Sequence, residues 1–179
     1  MALWFAFLRG INLGKRQLKM AELRTAMEEA GYGAVKTVLA SGNVRFEADG
    51  AAGAIRETLE KLILAQCGFA VGVVLRSEAE FATMLGQHPF DSLDPKADLT
   101  RHVLMFDRPL PEDISLDGVP GHTEILRIDP REVYLVGYRQ PNGRYTEGVD
   151  EVLKPLYARL GKGVLDTTRN WNTIEKMLA

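Results

Sequence analysis

Cysteine is almost missing from this chain: Cys67 is the only one in 179 residues. A disulfide framework and a Cys-rich zinc site are therefore excluded, and a reducing, cytoplasmic setting is expected. Beside Gly68, with no adjacent His or Lys, Cys67 reads as a packing residue. Histidine is scarce too. His88, His102 and His122 stand at no i, i+3 or i, i+4 spacing to another ligand, so no metal site is expected. Long apolar runs are lacking. The apolar stretch Met1 to Leu8 stops at Arg9 and Gly10, too short for a span and without the flanks of a signal peptide. No membrane partner is expected. Charge of one sign is not in excess either: 22 basic against 24 acidic residues give a formal net charge of −2. A nucleic-acid binder held by bulk charge alone is thereby excluded.

What remains is an ordinary globular composition, 46% apolar and 26% charged. Its charge is unevenly spread. Residues 9–24 carry a net +4, residues 77–117 a net −6 and residues 154–179 a net +3. A local basic patch made by the two ends of the chain is compatible with that pattern.

The apolar periodicity predicts α+β architecture. Leu3 to Leu8 is greasy on both alternating faces and reads as a strand inside a covered sheet, with Trp4 buried. Met20, Leu23, Met27 and Ala30 fall at helical spacing before Gly31. Val35–Leu39 and Val44–Ala48 read as strands joined by a hairpin turn, Ile55 to Ile63 as a helix ending near Gly68, and Val71–Leu75 as a fourth strand. That order, β-α-β-β-α-β, is the ferredoxin-like unit, closing near residue 76. The expected division is a ferredoxin-like subdomain over 1–76 packed with a second, smaller α+β subdomain over 77–179. In the second subdomain the final helix is able to pack back on the first. There the pattern reads helix 78–86, strand 103–106, hairpin strands 124–128 and 132–138, a helix through Val149–Leu160 that Pro155 either kinks or enters in its first turn, and a last helix carrying Trp171, Ile174 and Leu178. This is β-loop-β-β-α-α, a degraded repeat of the first half.

Three blocks are candidates for chemistry. Arg9-Gly10-Ile11-Asn12-Leu13-Gly14-Lys15-Arg16 lies between a strand and a helix, where glycines let backbone amides approach an anion. Its spacing fails the nucleoside-triphosphate loop, with Arg16 where Ser or Thr would hold Mg²⁺, and no G-x-G-x-x-G fingerprint occurs. No cofactor is expected. Ser41-Gly42-Asn43 suits a hairpin turn, or offers a hydroxyl and an amide to a ligand; no nucleophile elbow surrounds Ser41. Thr167-Thr168-Arg169-Asn170-Trp171-Asn172 clusters polar groups at a helix start, where Asn172 and Glu175 fit a capping box, and the same groups suit a phosphate or base edge. An RNA-recognition module shares the β-α-β-β-α-β order, but its aromatic-rich third strand is here Gly42-Asn43-Val44-Arg45-Phe46.

Leu8-Arg9-Gly10-Ile11-Asn12-Leu13-Gly14, Lys19-Met20-x-x-Leu23, Ser41-Gly42-Asn43-Val44-x-Phe46 and Thr168-Arg169-Asn170-Trp171-Asn172-Thr173 together resemble the bacterial DUF1697 family from end to end. The chain departs from the family where Lys15-Arg16 follows a single Gly14, and at Pro155. The resemblance implies a two-subdomain α+β protein with ferredoxin-like parts and assigns no activity.

The expected function is binding of an anionic, phosphate-bearing ligand or nucleotide, a nucleic-acid end included. Arg9, Lys15 and Arg169 would supply charge, and Asn12, Ser41, Asn43, Thr168, Asn170 and Asn172 would orient the rest. Two alternatives stand beside it. One is an enzyme acting on a small phosphorylated substrate, weakened by the lack of His, paired carboxylates or an activated nucleophile in these blocks. The other is a hydrogen-bonded clasp between the subdomains with no ligand.

Overall fold

The computed structural model describes residues 1–178. Contacts divide them into two units, Met1–Gly86 with residues 175–178, and Gln87–Ile174. Together they contain two four-stranded antiparallel sheets and five helices.

In the first unit β1 (Ala2–Leu8), β2 (Gly33–Val38), β3 (Asn43–Ala48) and β4 (Val73–Ser77) form a sheet in the order β2-β3-β1-β4. The central strand β1 is buried on both faces, which explains why both of its alternating sets are apolar. Its Trp4, Ala6 and Leu8 enter one core with Leu23 and Met27 of α1 (Met20–Glu29) and Ile55, Leu59 and Ile63 of α2 (Ala52–Cys67). Trp4 is 9% exposed, as the apolar strand pattern required. The opposite set, Phe5 and Phe7, stacks on Phe81 of α3 (Glu78–Gly86), with the Phe5 ring 3.9 Å from it. Burying each such ring is worth roughly 1.5–3 kcal/mol. Gly68 ends α2 in the left-handed conformation, where a side chain would be strained.

In the second unit β5 (Leu99–Phe106), β6 (Thr123–Asp129), β7 (Glu132–Tyr138) and β8 (Asp166–Asn170) take the order β6-β7-β5-β8. Leu104, Phe106, Val133 and Leu135 pack with Leu153 and Leu156 of α4 (Val149–Leu160). Phe90, Tyr134 and Trp171 form a second, aromatic cluster with ring centroids 5.3–6.2 Å apart. Trp171 opens α5 (Trp171–Lys176).

Three expectations need correction here. The expected β-loop-β-β-α-α order omits β8, which pairs antiparallel with β5 from His102↔Asn170 to Phe106↔Asp166. The polar block is thus an edge strand running into a helix, not only a helix cap. The cap is also different: the Asn172 amide donates to Asn170 Oδ1, so Asn170 holds the start of α5 rather than Asn172 with Glu175. Finally, the last helix ends at Lys176, so Leu178 lies beyond it and is 54% exposed.

With β8 in place, the strands of the second sheet repeat those of the first. Counting from the start of each unit, both sheets take the order second-third-first-fourth, and a helix follows the fourth strand in each.

Candidate functional site

The nine predicted site residues fall in two clusters, Arg9, Asn12, Lys15, Ser41 and Asn43 in the first unit, and Thr168, Arg169, Asn170 and Asn172 in the second.

The first cluster stands where three loops meet at one end of the first sheet. The end of β1 ties them together: the Leu8 amide donates to the Gly42 carbonyl at 2.8 Å and the Arg9 amide to the Gly72 carbonyl at 2.9 Å. Residues 9–19, 39–42 and 68–72 are thereby gathered. Asn12, at φ 56°, spends its whole side chain as a brace. Its Nδ2 donates to the carbonyls of Leu18 (3.1 Å) and Ala40 (2.5 Å), and its Oδ1 accepts the Leu18 amide (2.8 Å). Asn43 is fully buried and donates to the Val38 carbonyl (2.7 Å) and to Ser41 Oγ (2.9 Å). Gly42 has φ 87°, and a Cβ there would stand 2.7 Å from Ile11 Cδ1, so the turn admits no side chain at this point.

Around that frame Arg9, Lys15, Arg16 and Lys19 are all exposed. Arg16 lies over the Phe69 ring, 4.8 Å from its centroid, and donates to the Ala70 carbonyl at 2.6 Å. No Asp or Glu occurs in any of the three loops. The amides of Asn12, Arg16, Gln17 and Leu18 are satisfied within the first loop, so attraction for an anion comes from side-chain charge rather than from a nest of backbone N–H groups.

The second cluster is more inward. Arg169 is 7% exposed and donates from Nη1 to Thr167 Oγ1 (2.6 Å) and to the Thr168 carbonyl (2.9 Å). Burial pulls its guanidinium down to about 10, so it stays protonated at neutral pH. Thr168 is exposed, Asn170 caps α5, and the exposed Asn172 accepts a hydrogen bond from Arg101. Arg101 in turn lies over the Phe90 ring at 5.8 Å and lines an open pocket of about 520 Å³ with Asp91, Asp94 and Pro95.

Beyond Arg16 and Lys19, which join the predicted cations Arg9 and Lys15 in the first loop, two further candidates were missed by sequence reasoning. Arg101 sits in a strand whose apolar pattern gave no hint of its ring and amide partners. Arg76 is the larger omission. It is 1% exposed, pairs across the sheet with Phe5, and donates Nη1 to the Leu75 carbonyl at 3.1 Å. It is the penultimate residue of β4, as Arg169 is of β8, and both donate to the carbonyl of their own preceding residue. The signal that could have found it is the repeat itself, once the two strand-to-helix junctions are aligned.

Among the described residues, no group of three or more His, Cys, Asp or Glu side chains is placed to hold a metal ion, and no helix is long and apolar enough to cross a membrane.

The two antiparallel sheets with their helices make this a mixed α+β protein with two four-stranded halves. A family model described as "Protein of unknown function (DUF1697)" matches residues 1–134, and the chain belongs to that family. The Thr168–Thr173 block lies beyond the matched segment. The chain is similar in structure to the conserved bacterial protein SP0830 from Streptococcus pneumoniae, with a TM-score of 0.69 at 22% identity, covering 99% of this chain and 96% of that one. At that identity the likeness concerns the fold. No curated protein matches the chain.

Proposed function

We propose that this protein binds an anionic, phosphate-bearing group at the loop end of its first unit, with Arg9, Lys15, Arg16 and Lys19 as the contacts. One observation carries the reading: the loop 9–19 carries four exposed cations and no carboxylate, and hydrogen bonds tie it to two further loops that hold no carboxylate either. The groove beside the third loop adds Glu57 and Glu60 from α2, but each is already in an ion pair, with Lys61 at 2.9 Å and Arg56 at 3.7 Å. Asn12 and Asn43 act as braces that hold the loops in place, and Ser41 joins that frame through Asn43. The charge is therefore preorganised, which lowers the cost of ordering it on binding. The same loops contain no His, which favours binding over acid–base catalysis. The β1-α1-β2-β3-α2-β4 order with sheet order β2-β3-β1-β4 supports a ferredoxin-like reading of this unit.

A second reading keeps the polar blocks as internal clasps without a ligand. It is favoured by the bonds of Asn12, Asn43 and Arg169 to neighbouring backbone and hydroxyl groups. Thermal melts with inorganic phosphate, pyrophosphate and a panel of nucleotides separate the two. Binding predicts a rise in Tm with at least one of them, weakened by salt. It also predicts an affinity loss of about tenfold or more in the Arg9→Glu/Lys15→Glu variant. A chain indifferent to every phosphate, combined with a large intrinsic stability loss on Arg169→Ala, leaves only the clasp.

A further inference from the structure

The loop end that carries the cations also carries two leucines turned to water. Leu13 is 68% exposed and Leu39 is 50% exposed. Each is one residue from the hydrogen bond between Asn12 Nδ2 and the Ala40 carbonyl, so the two leucines belong to one braced structure. Leu39 is held at φ 61°, a conformation that costs a branched side chain free energy, in the turn its carbonyl helps close by accepting the Gly42 amide. Ala40 and Ala70 are exposed in the same loops. The combination is two exposed leucines and four exposed cations in loops tied together by hydrogen bonds.

We infer that the phosphate this end recognises belongs to a lipid headgroup, and that the first unit rests on an anionic bilayer surface through Leu13 and Leu39 together with Arg9, Lys15, Arg16 and Lys19 of the same hydrogen-bonded loops. This rests on the phosphate-binding reading above and names its ligand. A soluble phosphate has no use for the leucines. A headgroup layer accepts apolar side chains into its acyl boundary without a matching cavity, while neighbouring cations meet lipid phosphates. No spanning helix is required, since the contact is peripheral. Neither attraction alone holds a protein to a bilayer firmly, and here the two stand side by side.

The test is sedimentation of the whole chain with vesicles of phosphatidylcholine alone or mixed with phosphatidylglycerol. The protein should pellet with the mixed vesicles and stay in solution with the neutral ones, and salt should release it. Leu13→Ser/Leu39→Ser should weaken vesicle binding by about tenfold while leaving the response to soluble phosphate unchanged. Because both leucines are exposed, that variant should fold, and circular dichroism checks it. Leu13→Trp gives an independent readout: its emission should shift to shorter wavelength with anionic vesicles and be quenched by brominated lipid. Phosphate binding without any vesicle binding overturns this inference and leaves the earlier reading intact. Vesicle binding that ignores the leucines also overturns it. Leucine-dependent binding to poly-glutamate but not to vesicles would assign the surface to an acidic protein instead. Failure of both soluble phosphates and vesicles removes the earlier reading as well.

Discussion

Asn43 shows how much one side chain determines at this loop end. It has no contact with solvent, and its amide closes the hairpin by donating to the Val38 carbonyl and Ser41 Oγ. Asn43→Ala leaves the part-buried Val38 carbonyl without that donor, so equilibrium urea unfolding should show a loss of about 1–3 kcal/mol. Ser41→Ala should cost much less, because Ser41 is an exposed residue and Asn43 keeps its bond to the Val38 carbonyl. His102 offers a different single-residue test. Burial holds its imidazole below the ordinary value of 6.5, and its Nε2 lies 2.7 Å from Thr100 Oγ1. Below about pH 6.5 the unfolded chain takes up a proton that the folded chain resists. Stability from this group is therefore complete above that pH and falls as pH drops toward the lowered folded value. Urea midpoints for the wild type should decline on going from pH 7 to pH 5.5, and His102→Gln should flatten that part of the slope. An identical slope in both proteins would assign the pH dependence to other groups.

At the scale of elements, apolar periodicity announces most of the fold, because strands and helices that feed a core must repeat their apolar residues at 2.0 or 3.6. The β1 strand, α1, the β2–β3 hairpin, α2 and the β6–β7 hairpin were legible for that reason. The Asp166–Asn170 strand was not. Its residues are Asp, Thr, Thr, Arg and Asn, and it lies at a sheet edge with β5 as its one strand partner. A polar strand with one partner leaves no hydrophobic signature, and the same residues are good helix caps. Of the proposed site, the sequence pointed to Arg9 and Lys15 but not to Arg16 or Lys19, and it did not show which partners Asn12 and Asn43 bond. Asn12 meets Ala40 across 28 positions, a tie that no local pattern encodes. Pro155 was legible as an anomaly, and its place is now clear: it is the seventh residue of the twelve in α4, inside the helix rather than in its first turn. There it lacks the N–H that would reach the Glu151 carbonyl, and its ring is exposed. Pro155→Ala loses no packing and should raise stability by about 1–3 kcal/mol in the same urea assay. A fall instead would mean that the proline sets the helix path that seats Leu153 and Leu156 in the core.

At the scale of the whole molecule, net charge and local charge point in opposite directions. The chain carries −2 overall with a pI near 6.0, so a uniform sphere of this charge would be repelled by phosphate at neutral pH. Fields in salt solution do not average over the molecule, however. The Debye length is about 8 Å at physiological ionic strength, shorter than the width of either unit, so a surface responds to the charges near it. The acidic excess of residues 77–117 belongs mostly to the second unit, whereas the loop end of the first carries four cations and no acid. Phosphocellulose should therefore retain this acidic protein at neutral pH and low salt, and a salt gradient should release it in one peak. The Arg9→Glu/Lys15→Glu variant should pass straight through, with a shift in elution far larger than its change in net charge would give if spread over the surface. Charge reversal at two exposed acids elsewhere, such as Glu78 and Glu112 to lysine, changes the net charge by the same amount in the other direction. If that pair moves elution as much as the loop pair does, retention follows total charge, and the loop end does not act as a unit.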